Sequence, residues 1–436
     1  MPRKFLLSVY TFDMEKLNRD ILAIDLKSFY ASVECINRNL NPFTTPLVVA
    51  DESRGDGTIV LAASPFIKEK YHVPSRCRLY DVPKDIPSLI IAQPSMKTYL
   101  EVSAQVNSIY LDYVSEEDMF VYSIDESFLD CTNYLKRGND TSITYAKKII
   151  NDIRRKTGLT VTAGIGKNMF MAKACMDIEA KHRPDFISKW DYDDIPKHLW
   201  PLSPLSKMWG IGSRIEKRLN SLGFHQVGDI AVSDADYLKS KFGVIGEEIY
   251  YHSHGYDDAL LQEKYVSNNH SLSVGQVLLR DYYPSEIPIL IRDMAIELTD
   301  RMHIENVLAN SFVLYVADKE HMGFSKRLTF FNPTDSSEKL GRLAVEKYKE
   351  YQKEFNLNNE TLFRQIGMVA LDVVSKDNYQ PSLFEDYEGD CNIRNLEKTL
   401  LDIRKKYGTL KAMPCSALSF SSTFIDRQNQ IGGHHR

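Results

Sequence analysis

Ser123-Ile124-Asp125-Glu126-Ser127-Phe128-Leu129-Asp130 sets two adjacent carboxylates in a run that otherwise reads as a buried strand. Neighbours on a strand point to opposite faces, so Asp125 and Glu126 cannot both reach one solvated side. Acids inserted in an apolar run are costly unless neutralised. A divalent cation is the natural neutraliser, because hard carboxylate oxygens are its preferred ligands. A third acid, Asp25, ends the short apolar stretch Leu22-Ala23-Ile24. If the two strands lie side by side, Asp25, Asp125 and Glu126 can hold two Mg²⁺ ions, the arrangement that stabilises attacking and leaving oxygens in phosphoryl transfer. A twist or bulge would have to turn both Asp125 and Glu126 to the metal. The competing reading is a set of surface acids at strand ends.

Other stretches carry chemistry at lower density. Gly164-Ile165-Gly166-Lys167-Asn168 delivers glycines and a lysine to a helix start, where backbone N–H groups favour phosphate. It lacks the full phosphate-loop pattern, so an ordinary strand-to-helix turn competes. Met208-Trp209-Gly210-Ile211-Gly212-Ser213-Arg214 reads as a helix-hairpin-helix. Its Gly210 and Gly212 would expose helix N-terminal donors to a DNA phosphate without reading sequence; a plain αα-hairpin competes. In Gln380-Pro381-Ser382-Leu383-Phe384, Leu383 and Phe384 read as anchors of a docking peptide, or else as a cover for the preceding domain. His252-x-His254 and the terminal His434-His435 have metal-like spacing without a third ligand, and solvated loops are the expectation.

The elements that must position these residues follow from periodicity. Strands are expected at Leu22–Asp25, Pro46–Ala50, Thr58–Ala62, Ile90–Ala92, 119–130 and Thr160–Ile165. Helices are expected from Ser28 (as N-cap), from Ser64 with Pro65 in its first turn, and over 95–113, 141–156 and 169–180. Residues 21–30 and 89–180 suit a small sheet with helices on one face, and 31–88 an insertion with its own sheet. Residues 270–375 form a separate α+β domain, and a polar tail follows. At 436 residues, two to four domains are expected. The net charge of −5 confines any nucleic-acid surface to local patches. Six cysteines without Cys-x-x-Cys spacing argue against a disulfide framework. The absence of an 18-residue apolar run or a signal segment argues against a membrane and for the cytoplasm.

Ile24-Asp25-Leu26-Lys27-Ser28-Phe29-Tyr30-Ala31-Ser32-Val33-Glu34, together with Tyr122 to Asp130, resembles the Y-family, or translesion, DNA polymerases. The resemblance is nearest to the UmuC-like and DNA polymerase IV-like branch and spans about 20–375. It implies an α+β right-hand polymerase. Its parts would be a leader (1–20), a ferredoxin-like palm (21–30 and 89–183), small fingers (31–88), a helix-hairpin-helix thumb (184–260), an α+β little finger (268–375) and a tail (376–436).

The resemblance makes Asp25, Asp125 and Glu126 ligands of two Mg²⁺ ions, with the Leu26 carbonyl. It makes Tyr30 the gate that excludes a ribose 2′-OH and Lys167 a triphosphate contact. Lys68 would be a second triphosphate contact, with Lys70 its competitor. Gln380, Leu383 and Phe384 would bind a bacterial sliding clamp, and Ile431-Gly432-Gly433-His434 is a tail seen in the UmuC-like branch. The implied partners are primer-template DNA, dNTPs and a UmuD-like subunit or recombinase filament, in damage tolerance or SOS repair near the nucleoid. A nucleotidyl cyclase and a catalytically idle docking factor are the alternatives.

Overall fold

The structure is a computed structural model describing residues 17–74, 76–138, 140–263, 270–358, 360–379 and 387–435. Residues 1–16 of the leader and the 380–384 peptide lie outside the described residues. The chain divides into two compact units, Met1–Lys264 and Tyr265–Arg436.

The first unit opens with β1 (Ile21–Leu26) and α1 (Phe29–Asn37). The insertion holds β2 (Leu47–Val49), β3 (Ala62–Ala63) and α2 (Pro65–Tyr71). Ser64 caps α2, accepting from Ile67 N–H. Next come β4 (Ile90–Ala92), α3 (Met96–Tyr110), β5 (Met119–Val121), β6 (Glu126–Asp130), α4 (Thr132–Arg137) and α5 (Ser142–Thr157). The larger sheet is completed by β7 (Val161–Gly166) and β8 (Ile187–Lys189), with α6 (Met169–Ile178) between them. Its order is β5-β6-β1-β7-β8, so β1 is central and antiparallel to both neighbours.

Both faces of this sheet carry helices, not one as expected. Leu22, Ile24 and Leu26 share a core with Tyr99 and Val106 of α3 and Ile149 and Ile153 of α5. Ile21 and Ala23, of opposite parity, pack with Phe128 on Met169, Ala172 and Met176 of α6. The cause is in the strands: β1 carries Ile21 and Ala23 on one face and Leu22, Ile24 and Leu26 on the other, and β7 is buried at every residue, the mark of a sheet covered twice.

Two strand assignments also shift. Ile90–Ala92 joins the insertion's sheet, of order β3-β2-β4, by pairing in parallel with Leu47–Val49. Thr58–Val60 is not a strand, because its backbone bonds to the 77–79 segment (Val60 N–H to Cys77, Leu79 N–H to Thr58) and only Ala62–Ala63 pairs with β2. A helical region closes the unit: α7 (Ile195–His198), α8 (Ser213–Ser221), α9 (Val227–Ala231), α10 (Ala235–Phe242) and α11 (Val244–Ser253).

The second unit runs β9 (Leu272–Tyr282), α12 (Ile287–Ile304), β10 (Val307–Ala317), β11 (Gly323–Thr334), α13 (Ser337–Glu354) and β12 (Phe363–Leu371), an α+β domain as expected. The sheet order is β11-β10-β12-β9, with β13 (Val374–Ser375) added beside β10. The polar stretch expected to be a tail is folded. It contains the 21-residue α14 (Tyr387–Tyr407), α15 (Phe424–Gln428) and a hairpin of β14 (Gln430–Ile431) and β15 (His434–His435). Arg404 bonds Asp300, Arg427 bonds Glu297, and Ser422 and Thr423 bond Asp293, all on α12.

Candidate active site

The stretch expected as one strand over 119–130 is a hairpin. Met119, Phe120 and Val121 pair with Leu129, Phe128 and Ser127, and the Tyr122 and Ser123 N–H groups both donate to the Glu126 carbonyl at 3.0 Å. Phe120, Val121 and Tyr122 are exposed. The alternation problem therefore disappears. Glu126 opens β6 directly opposite Asp25 of β1, so their side chains leave the same face. Asp125 comes from the connecting loop, where its carbonyl accepts from Leu26 N–H at 2.9 Å and its carboxylate accepts from Ser123 Oγ at 2.7 Å.

Two lysines that the sequence reading did not single out meet these acids. Lys173 lies 2.7 Å from Glu126 and 3.2 Å from Asp177. Lys181 lies 2.8 Å from Asp177 and 3.2 Å from Asp25. Glu126, Lys173, Asp177, Lys181 and Asp25 thus form a chain of alternating charge across the sheet face. Burial still pushes the Asp25 carboxyl up, with Lys181 opposing and the Asp125 charge adding to the rise. Burial likewise raises Glu126 against Lys173. The Lys173, Asp177, Lys181 spacing of four residues was the available signal, since it puts all three on one helical face.

The path of the chain explains why Lys181 is here and Lys167 is not. Along β7, Thr162 sits opposite Asp25 and Gly166 opposite Ile21, so β7 carries the chain roughly 13 Å away from the acids. The ten-residue α6 then returns it by about 15 Å. Lys167 stands at the far turn, 3.1 Å from Asn18 and 3.6 Å from Asp191, and this corrects its placement as a phosphate contact beside the acids. The turn's donors are also in use: Asn168 accepts from Met171 N–H at 2.7 Å, and Asp257 from Phe170 N–H at 2.9 Å. The glycines serve packing. A Cβ at Gly164 would lie 2.3 Å from the Ala172 carbonyl oxygen, and one at Gly166 would lie 2.4 Å from Ala172 N, so only glycine lets α6 approach β7.

A cavity of about 720 Å³ opens beside Asp25, lined by Lys27, Ser28, Lys68, Thr162, Lys181 and Phe186 among others. The Lys68 ammonium donates to Ser28 Oγ at 3.0 Å, and the Lys27 ammonium lies 4.4 Å from the Phe186 ring centre. Burial lowers the pKa of both lysines. Among the described residues neither has a carboxylate within ion-pair distance. Lys70 is exposed instead, over the Phe66 and Tyr71 rings, so of the two competing lysines only Lys68 lines this cavity. Ser28 occupies the N-cap position of α1 with a left-handed backbone (φ 50°, ψ 48°) and no capping bond from its side chain, an exception to the expected cap. Tyr30 is half-buried near Asp125, and burial, with that charge, raises its phenol pKa.

Among the described residues, no group of three or more His, Cys, Asp or Glu side chains is gathered closely enough to hold a metal ion. Lys173 and Lys181 supply part of the neutralisation of Glu126 and Asp25. The donors still fit a hard cation. Asp25 and Asp125 share one end of the sheet, where among the described residues only Lys181 lies within ion-pair distance of Asp25, and the buried Thr162 hydroxyl beside them has no hydrogen-bond partner.

Gly210 has φ 92°, and Gly212 caps α8 without a side chain. Both are exposed with open space around them. Trp209, just before Gly210, fastens this turn to the sheet, stacking on Phe128 and Phe170 and meeting Tyr122 edge-on. His252 is buried at the end of α11, stacked on Phe170 at 4.1 Å, and His254 follows directly. The solvated loop expected for this pair is a packed helix end.

With this geometry in view, three family models match in chain order: the impB/mucB/samB family over residues 24–177, the IMS family HHH motif over 192–224, and the impB/mucB/samB C-terminal domain over 269–383. UvrX of Bacillus subtilis, named for UV-damage repair, is 34% identical over 421 residues, covering 95% of this chain and 97% of the relative. The chain belongs to the impB/mucB/samB family of Y-family DNA polymerases. This polymerase is also 27% identical to DNA polymerase IV 2 of Bacillus subtilis (95% of this chain, 98% of the relative) and 28% identical to DNA polymerase IV of Pelotomaculum thermopropionicum (93% and 97%). A Y-family DNA polymerase chimera of solved structure shares the fold with a TM-score of 0.65 at 20% identity, covering 82% of this chain and all of that one. No helix among the described residues is long and apolar enough to cross a membrane.

Proposed function

We propose that this chain is a template-directed polymerase of the translesion type, adding dNTPs to a primer 3′-OH. The observation that carries this reading is the conjunction of an acid-rich sheet end with two cavity lysines, Lys27 and Lys68, that have no carboxylate within ion-pair distance among the described residues. A triphosphate supplies the missing negative charge, and a cation the missing positive charge.

Two Mg²⁺ ions held by Asp25 and Asp125, with Glu126 and the Leu26 carbonyl completing the set, would supply Lewis-acid activation of the primer hydroxyl and neutralise the triphosphate. Lys68, Lys181 and Lys27 grip the phosphates. Tyr30 closes the sugar side and refuses a 2′-OH. Gly210 and Gly212 offer the bare first turn of α8 to a DNA phosphate, so binding weakens steeply with salt. In this reading 21–30 and 93–183 are the palm, 31–92 the fingers, 184–260 the thumb and 268–375 the little finger. Gln380, Leu383 and Phe384 dock a sliding clamp, and a UmuD-like subunit or recombinase filament is a further candidate partner.

The test is primer extension by the purified chain on undamaged and abasic templates, with and without clamp. Template-dependent extension supports the proposal. NTP turnover without template points to a cyclase, and DNA and clamp binding without extension points to a docking factor.

A further inference from the structure

Tyr30 does not stand alone. Its ring stacks on that of Tyr99, with centroids 4.3 Å apart and planes 14° apart. Tyr99 is fully buried on α3, and Phe29 meets its ring edge-on at 6.3 Å. The Tyr99 hydroxyl donates to Glu34 Oε1 at 2.7 Å. Glu34, itself buried, takes the Arg38 guanidinium on its carboxylate, and its carbonyl accepts from the same group at 2.8 Å. Tyr30, Glu34 and Arg38 recur at four-residue spacing on α1, so one helix face carries both the gate and the anchor of the ring beneath it.

A gate that separates ribose from deoxyribose discriminates on one oxygen atom, and a ring free to tilt would give way. Excluding a single atom needs the excluding group held to a fraction of an ångström, which packing and hydrogen bonds of the supporting residues supply. A tyrosine hydroxyl on a buried carboxylate is a charge-assisted bond of fixed direction. It sets the Tyr99 plane, and the stack passes that plane on to Tyr30.

We infer that Tyr99, oriented by Glu34 and Arg38, is a positioning residue for sugar discrimination. This rests on Tyr30 being the gate. The test measures kcat and KM separately for dCTP and rCTP incorporation by the full chain carrying Tyr99→Leu, Tyr99→Phe, Glu34→Gln or Tyr30→Ala, with melting midpoints. The expected results are that Tyr99→Leu lowers the dCTP-to-rCTP ratio of kcat/KM by about tenfold through the rCTP value, and that Tyr99→Phe, which keeps the ring but loses the bond to Glu34, and Glu34→Gln, which weakens that bond, both fall between Tyr99→Leu and the parent. An unchanged ratio in a folded Tyr99→Leu protein, with Tyr30→Ala losing discrimination, overturns the inference alone. Unchanged discrimination in Tyr30→Ala overturns the gate reading itself. If Tyr99→Leu does not fold, Glu34→Gln decides: an unchanged ratio at a parental melting midpoint overturns the inference.

Discussion

The two units each hold a buried ionic cluster, and the clusters are balanced differently. In the first unit, three carboxylates, those of Asp25, Glu126 and Asp177, share two ammonium groups, those of Lys173 and Lys181. In the second, Asp335 meets His303, Lys376 and Arg394, and Glu397 takes His303 and the Ser337 N–H and hydroxyl. There, two carboxylates face three cations. The electrostatic outcome follows the count. Asp335 is held well below the usual carboxylate range although burial opposes this, because His303 and Lys376 bond to it. Asp25, similarly sheltered, is pushed up. A saturated cluster is a fastener, and an undersupplied one is a binding site for further positive charge.

The contrast can be broken most decisively at the undersupplied cluster. Asp125→Asn with Glu126→Gln should lower primer extension by on the order of a thousandfold or more, while DNA binding followed by fluorescence anisotropy is retained. Extension near the parental rate would show that these acids are surface decoration. Next in size, Lys181→Ala should raise the KM for dNTP by roughly tenfold or more, the worth of a charge-assisted contact. A KM unmoved in steady-state kinetics would mean that Lys181 only pairs with Asp25.

At the saturated cluster the effect belongs in stability. Burial pulls the His303 imidazole down, but its bonds to Asp335 and Glu397 carry it up to about 9, against an unfolded value of about 6.5. A raised folded pKa stabilises fully below the unfolded value and loses that contribution as pH rises through the folded one. The second unit's melting midpoint should therefore fall by several degrees between about pH 6.5 and 9. His303→Gln should flatten that dependence in calorimetry, and an equally steep curve would refute the assignment. The smallest effect expected is at Lys167→Ala, which should change dNTP KM by less than about twofold, as befits a lysine paired with Asn18 and Asp191 at the far end of β7. A larger rise would return Lys167 to the triphosphate.

How much of this could be read from residues alone differs between the same two places. The α+β character of 270–375 was legible, and β9 does alternate, burying Val274, Leu278 and Tyr282. Asp25 was legible as a strand-end carboxylate, and Asp125-Glu126 as acids on a strand beside it. The hairpin was not, because Tyr122-Ser123-Ile124-Asp125 lacks the Gly or Asn that marks a tight turn. Lys181 escaped notice because its closeness to Asp25 spans 156 residues and depends on the return of α6. The phosphate reading at Gly164 and Gly166 failed for a related reason: a glycine that admits a helix looks, in sequence, like one that admits a ligand. The folded end of the chain was missed because its apolar residues are sparse and its hold on α12 is largely polar.

That hold gives the last fifty residues a say in how much protein persists. Asp293 takes its partners from Ser422 and Thr423, and Asp300 from Arg404. Burial pushes both carboxyls up to about 6 even with those partners in place. A stop codon or a proteolytic cut shortly after residue 386 would leave two charged groups in the helix layer unanswered, though the catalytic acids were untouched. Such a lesion would register in cells as scarcity, through turnover of a weakened second unit, and the surviving molecules would keep their chemistry.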